Sequence, residues 1–87
     1  MLRIQRSGNG ETVFALSGRM ENEHIVELEE LLLAEPAGRG IVLDLKDLTL
    51  VGQDEIDFFT RCEERGITLR NCAPYIREWI TGQRSQR

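Results

Sequence analysis

The sequence predicts a small α/β domain with the element order β-β-α-β-α-β-α, a mixed central sheet and helices packed on it. Three observations predict this. A Gly/Asn cluster, Ser7-Gly8-Asn9-Gly10, separates two strand-like runs near the start. Residues 41–59 read as a buried strand, a short polar turn, a second apolar run over 48–51, and then a helix that begins at Gly52-Gln53-Asp54. Apolar residues at three- and four-residue intervals then separate the later strands, so those strands should run parallel, with the first hairpin strand antiparallel at one side.

Composition sets the outer bounds. The 87 residues suffice for one domain, 1–87, with a single core, an N-terminal edge strand over 1–6 and a frayed tail over 83–87. At 40% apolar and 30% charged residues the chain falls among globular rather than disordered sequences. The net charge of −4 argues against nonspecific nucleic-acid binding, which needs clustered Lys and Arg. Lys46 is the single lysine, so the positive charge is almost all arginine, suited to geometric pairing. No apolar run approaches the roughly 18 residues of a membrane span, and no signal-peptide core precedes the first strand. A cytoplasmic protein with reduced Cys62 and Cys72 is expected. The spacing of these cysteines matches no metal motif, and they read as small apolar side chains in or near the core.

In chain order, Leu2 and Ile4 alternate with polar residues, and Thr12-Val13-Phe14-Ala15-Leu16 forms the second hairpin strand. The glycines of the turn do not open a helix, as a phosphate cradle would require. Asn22 is the expected N-cap of the first helix, where Ile25, Leu28, Leu31 and Leu32 share one stripe facing the core. Leu33 lies off the stripe and either extends the buried face, the preferred reading, or marks a contact surface. Pro36 should stop the helix, since proline pushes the preceding residue out of the α region. His24, the only histidine, sits in the first turn without a partner constellation for phosphoacceptor or general-base chemistry; it reads as a surface or boundary residue.

Residues 37–40 form a turn into the central strand, Ile41-Val42-Leu43-Asp44-Leu45, whose branched aliphatics suit a strand covered on both faces. Asp54 is the expected N-cap of the second helix, with Glu55 and Asp57 in its first turn and a buried face of Ile56, Phe59 and Cys62. Gly66 closes that helix, and Ile67-Thr68-Leu69 is the next strand. Pro74 suits the first turn of the last helix, which Gly82 should end. Trp79 reads as core on a stripe with Ile76 and Ile80.

This succession, with Phe14-Ala15-Leu16-Ser17-Gly18-Arg19 before the first helix and Val42-Leu43-Asp44-Leu45 before the second, resembles the STAS domain family over residues 12–80. That family includes bacterial anti-sigma-factor antagonists and STAS subunits or domains attached to transporters. Its regulated members carry Asp, a phosphorylatable Ser, Ser or Thr, and Gly at the loop opening the second helix. Here Gly52, Gln53, Asp54 and Glu55 occupy those positions, and none matches. Gln53 stands at the phosphoserine position, and an amide cannot be phosphorylated. A phosphoserine would add roughly 1.5 to 2 negative charges; Asp54, Glu55 and Asp57 supply permanent charge instead. The loop is then either a surface held in one state or a well-capped acidic helix.

The resemblance implies a non-enzymatic regulatory module that docks on a protein partner, an anti-sigma-type kinase or a transporter ATPase. Gln53, Asp54, Asp57, Thr60, Arg61 and Glu64 are the candidate contact residues, near the loop or on the expected solvent side of the second helix. A small-ligand site at the same loop is the alternative, opposed by the acidic loop and the small volume so short a chain offers. No nucleophile with its base and no metal ligand set stands out, so neither catalysis nor a cofactor is expected. The open edge at residues 2–6 offers a route to a homodimer.

Overall fold

A computed structural model of the chain describes residues 2–8, 10–35 and 40–85. Its elements run β1 (Leu2–Ser7), β2 (Glu11–Arg19), α1 (Asn22–Leu33), β3 (Gly40–Leu50), α2 (Gln53–Glu64), β4 (Thr68–Arg70) and α3 (Pro74–Ser85). The expected order β-β-α-β-α-β-α is therefore observed. The expectations placed on Asn9, Pro36, residues 37–39 and the tail beyond residue 85 lie outside the described residues.

The four strands lie in the spatial order β1-β2-β3-β4. β1 pairs antiparallel with β2, while β2–β3 and β3–β4 are parallel. The hairpin turns at Gly8, whose φ of +138° suits glycine; a Cβ there would lie 1.9 Å from the Glu11 carbonyl oxygen.

One expectation on β3 is corrected. The turn expected between two apolar runs is a bulge within a single strand. Pairing passes from Ala15–Asp44 to Ser17–Asp47, so β3 holds one more residue than β2 across that step. Asp44 Oδ1 accepts the Lys46 amide at 3.0 Å inside the bulge. A second shift follows between Gly18 and Arg19. Together these two shifts carry the end of β3 toward the start of α2.

Register also settles which face is covered. Ile4 pairs with Leu16, and Phe14, Leu43 and Leu69 form one row, which puts them on a common face. Those residues join Leu28, Leu32, Ile56, Phe59, Ile76 and Ile80 in one core cluster. The opposite face carries Val13, Val42 and Thr68 in one row and Gln5, Ala15, Asp44 and Arg70 in the next. Val42 is buried yet stands outside the cluster. All three helices thus pack on one side: two successive right-handed crossovers in one direction demand it of α1 and α2, and Ile76 and Ile80 bring α3 into the same cluster. The expectation of a strand covered on both faces holds at Val42 and Leu43, successive residues on opposite faces that are both buried, although the helices lie on one side only and an Arg70–Glu11 ion pair of 3.1 Å lies on the other.

Several helical details also differ from expectation. α1 is capped by Glu21, not Asn22. Leu28 and Leu32 are fully buried, but Leu31 is 37% and Leu33 73% exposed, so Leu33 does not extend the core. α3 continues through Gly82 to Ser85, so residues 83–85 are helix rather than frayed tail. Gly66, with φ +89°, does follow the C-cap of α2, as expected. Among the described residues, no helix is long and apolar enough to cross a membrane.

Candidate functional site

The loop between β3 and α2 brings the chain from Val51 into a helix whose N-cap is Gly52, not Asp54. Gly52 is extended at φ −112°, and its carbonyl accepts the Ile56 amide at 3.1 Å. Its own amide donates to Glu55 Oε1 at 3.0 Å, the reciprocal half of a capping box. A Cβ at position 52 would come within 3.3 Å of that oxygen, so a small residue leaves the carboxylate its place. α1 starts in the same way: the Glu21 amide donates to His24 Nδ1 at 2.9 Å. His24 therefore has a structural task, and the acceptor role of Nδ1 leaves its N–H on Nε2. A histidine at the third helical position, three after Glu21, was the signal in the sequence.

Of the residues expected on the partner surface, Gln53, Asp54, Arg61 and Glu64 are exposed and Asp57 is half-buried. Thr60 is the exception. It is fully buried, and its hydroxyl donates to the Ile56 carbonyl at 2.8 Å. Its oxygen also accepts Gln83 Nε2 of α3 at 3.5 Å, so it lies covered beside that helix and cannot take part in surface docking.

Gln53 is the centre of a side-chain network between α2 and α3. Its Nε2 donates to Asp57 Oδ1 at 3.1 Å and to Gln83 Oε1 at 2.5 Å, and its Oε1 accepts the Trp79 indole N–H at 3.2 Å. Trp79 is not core: it is 37% exposed, with Tyr75, one turn earlier, at 49%. The buried stripe of α3 consists of Ile76 and Ile80, and Trp79 flanks it. Spacing from Ile76 fits either face, which is why sequence pattern alone misplaced the tryptophan. Gln83 escaped notice because it falls beyond Gly82.

Behind this ridge, Glu63 takes both guanidinium nitrogens of Arg77 at 2.9 Å and Arg84 at 3.1 Å. The Arg77 hydrogen bonds, against an opposing effect of partial burial, hold the Glu63 carboxyl below its usual range. These pairs fix the crossing of α2 and α3, and with it the position of Trp79.

The start of α2 also faces the start of α1. Between them lies a depression of about 700 Å³, lined by Arg19, Met20, Glu21, Asn22, Glu23, Val51, Gly52 and Glu55. This depression is largely open to solvent rather than an enclosed cavity. Among the described residues, no group of three or more His, Cys, Asp or Glu is placed to hold a metal ion. No protein-family model matches the chain, and no curated protein matches it in sequence.

Proposed function

We propose that this protein is a non-enzymatic regulatory interaction module of the STAS type, working in the cytoplasm. It docks on a protein partner through the start of α2 and the adjoining ridge of α3. The observation that carries this reading is the Gln53–Trp79 pair. A half-exposed tryptophan whose indole is already fixed by a hydrogen bond loses little side-chain freedom on binding. On the same helix as Gln53, Asp54, Arg61 and Glu64 are exposed and Asp57 is half-buried, a mainly acidic set that favours a partner with basic groups at its contact surface.

Gln53 replaces the hydroxyl of the switch serine in the STAS resemblance, and here its amide is engaged with three side chains. The surface is thereby constitutive: it is set by hydrogen bonds and permanent charge rather than by phosphorylation. An ATP-binding regulator of the anti-sigma type or a transporter ATPase is the partner class that the resemblance implies.

The test is direct binding. Proteins retained by the tagged native chain from its own cells are purified and titrated against native, Trp79→Ala and Asp54→Ala/Asp57→Ala forms. One retained ATP-binding protein whose affinity falls about tenfold or more in both variants supports the module. Unchanged affinity in both variants sinks it.

A further inference from the structure

The depression between α1 and α2 holds a carboxylate with half its hydrogen-bonding capacity unused. Met20, Val51 and Glu55 are 2%, 8% and 4% exposed and form its floor, while Arg19, Glu21 and Glu23 are exposed and form its rim. Glu55 Oε1 accepts the Gly52 amide. Its Oε2 is sealed from bulk water and has no hydrogen-bond partner among the described residues. A buried acceptor without a donor is costly, and a carboxylate oxygen more so than a neutral one.

We propose that this depression receives a guanidinium or primary ammonium group carried on an apolar stem, an arginine or lysine side chain of the docked protein partner, with Glu55 as its counter-charge. The inference rests on the docking reading above. Each part of the pocket selects for this chemistry. Glu21, Glu23 and Glu55 set three carboxylates against the single guanidinium of Arg19, so an anion is repelled. Arg19 itself lies 4.0 Å from Glu21 Oε1, which keeps its charge at the rim. Met20 and Val51 offer an apolar wall to a long methylene stem, methionine being the most adaptable of core side chains. Rotation about the terminal torsion moves both carboxylate oxygens together, so small coupled changes of χ2 and χ3 are what present Oε2 to the opening while Oε1 stays within reach of the Gly52 amide. A bare metal ion would find too few ligands among the described residues.

The experiment is a nitrogen–proton NMR titration of the full chain with N-acetyl-arginine amide and, in parallel, with N-acetyl-citrulline amide, which has the same shape without the charge. Saturable shifts of the Gly52 and Glu55 amides with the arginine probe alone are expected. Glu55→Gln, which keeps an oxygen for the Gly52 amide, should weaken the arginine probe about tenfold or more, and Glu30→Gln, at an exposed position of α1 outside the depression and the docking surface, should not. Equal response to both probes, shifts centred elsewhere, the same shifts with magnesium chloride alone, or no saturation each overturns the proposal. Should Glu55→Gln fail to fold, the comparison of the two probes on the native chain decides. If the partner binds through Trp79 while the arginine probe is silent, the pocket proposal fails and docking stands. If the probe saturates but no partner is found, docking fails, and the partner side chain is overturned as the source of the cation.

Discussion

Glu63 shows what one side chain contributes where two helices cross. Arg77 and Arg84 close on it at 2.9 and 3.1 Å, and its own side chain is 17% exposed against 39% and 42% for theirs. Solvent reaches both arginines, so Glu63→Gln should lower stability by about 1 kcal/mol rather than the larger loss of a fully buried pair. The pH dependence follows from the depressed carboxyl. Its stabilisation is complete above the ordinary value of 4.5 and disappears as pH falls through the lower folded value. Urea midpoints of native and Glu63→Gln chains should therefore differ at pH 7 and converge as pH falls well below 4.5; a gap that persists in acid would remove the ion pair as its cause. Cysteine reactivity offers a second check. Burial pushes the Cys62 thiol up to about 12, and Cys72 is raised less by its partial burial. An aromatic disulfide reagent at pH 8 should modify Cys72 first and reach Cys62 only at the rate of unfolding.

Among the elements, α3 separates what pattern reveals from what it hides. Pro74 at the first position and the Ile76–Ile80 stripe are plain in the sequence, and both are observed. Gly82 was misleading because glycine marks helix ends only when the chain there needs a positive φ, and sequence does not carry φ. Gly66 has φ +89° and Gly82 lies inside a helix, and an added Cβ meets nothing within 4 Å at either position. The same substitution should thus act with opposite signs. Gly66→Ala should destabilise by about 1 kcal/mol, through backbone strain alone. Gly82→Ala should stabilise by about 0.5–1 kcal/mol, since it removes freedom from the unfolded chain and fits the helix. Thermal unfolding of both variants reads the sign, and destabilisation at both sites would contradict helix α3 beyond residue 82. β3 makes the complementary point. Its apolar run was legible, but Lys46 and Asp47, after Leu45, read as a turn because a bulge and a turn use the same polar residues. Only the pairing with β2 distinguishes them.

For the molecule as a whole, the parallel strands and helix order were legible because hydropathy repeats at two different periods. Which side of the sheet is covered was not. An apolar β3 implied burial on both faces, and Val42 and Leu43 are both buried, but apolar residues do not say which face the helices cover. The candidate site was half legible for the same reason: the exposed acids of α2 stand out in sequence, while the Gln53–Trp79 contact joins residues 26 positions apart. The one-sided architecture distributes stability unevenly. Of α1, only Leu28 and Leu32 are buried, whereas α2 buries Glu55, Ile56, Phe58, Phe59, Thr60 and Cys62. At about 25 cal/mol per Å² of apolar surface, this difference amounts to several kcal/mol of anchoring. Hydrogen exchange under native conditions should therefore show α1 opening at lower free energy than α2 and than β2 and β3, each of which is paired on both sides. The rim of the depression runs from Arg19 at the end of β2 to Glu21 and Glu23 at the start of α1, and part of its floor belongs to α2. A rigid floor bearing Glu55 beneath an adjustable rim bearing Glu21 and Glu23 lets the pocket close around a side chain without disturbing the core. Equal protection of α1 and α2 would mean instead that the pocket is rigid throughout and must admit its occupant in the shape it already has.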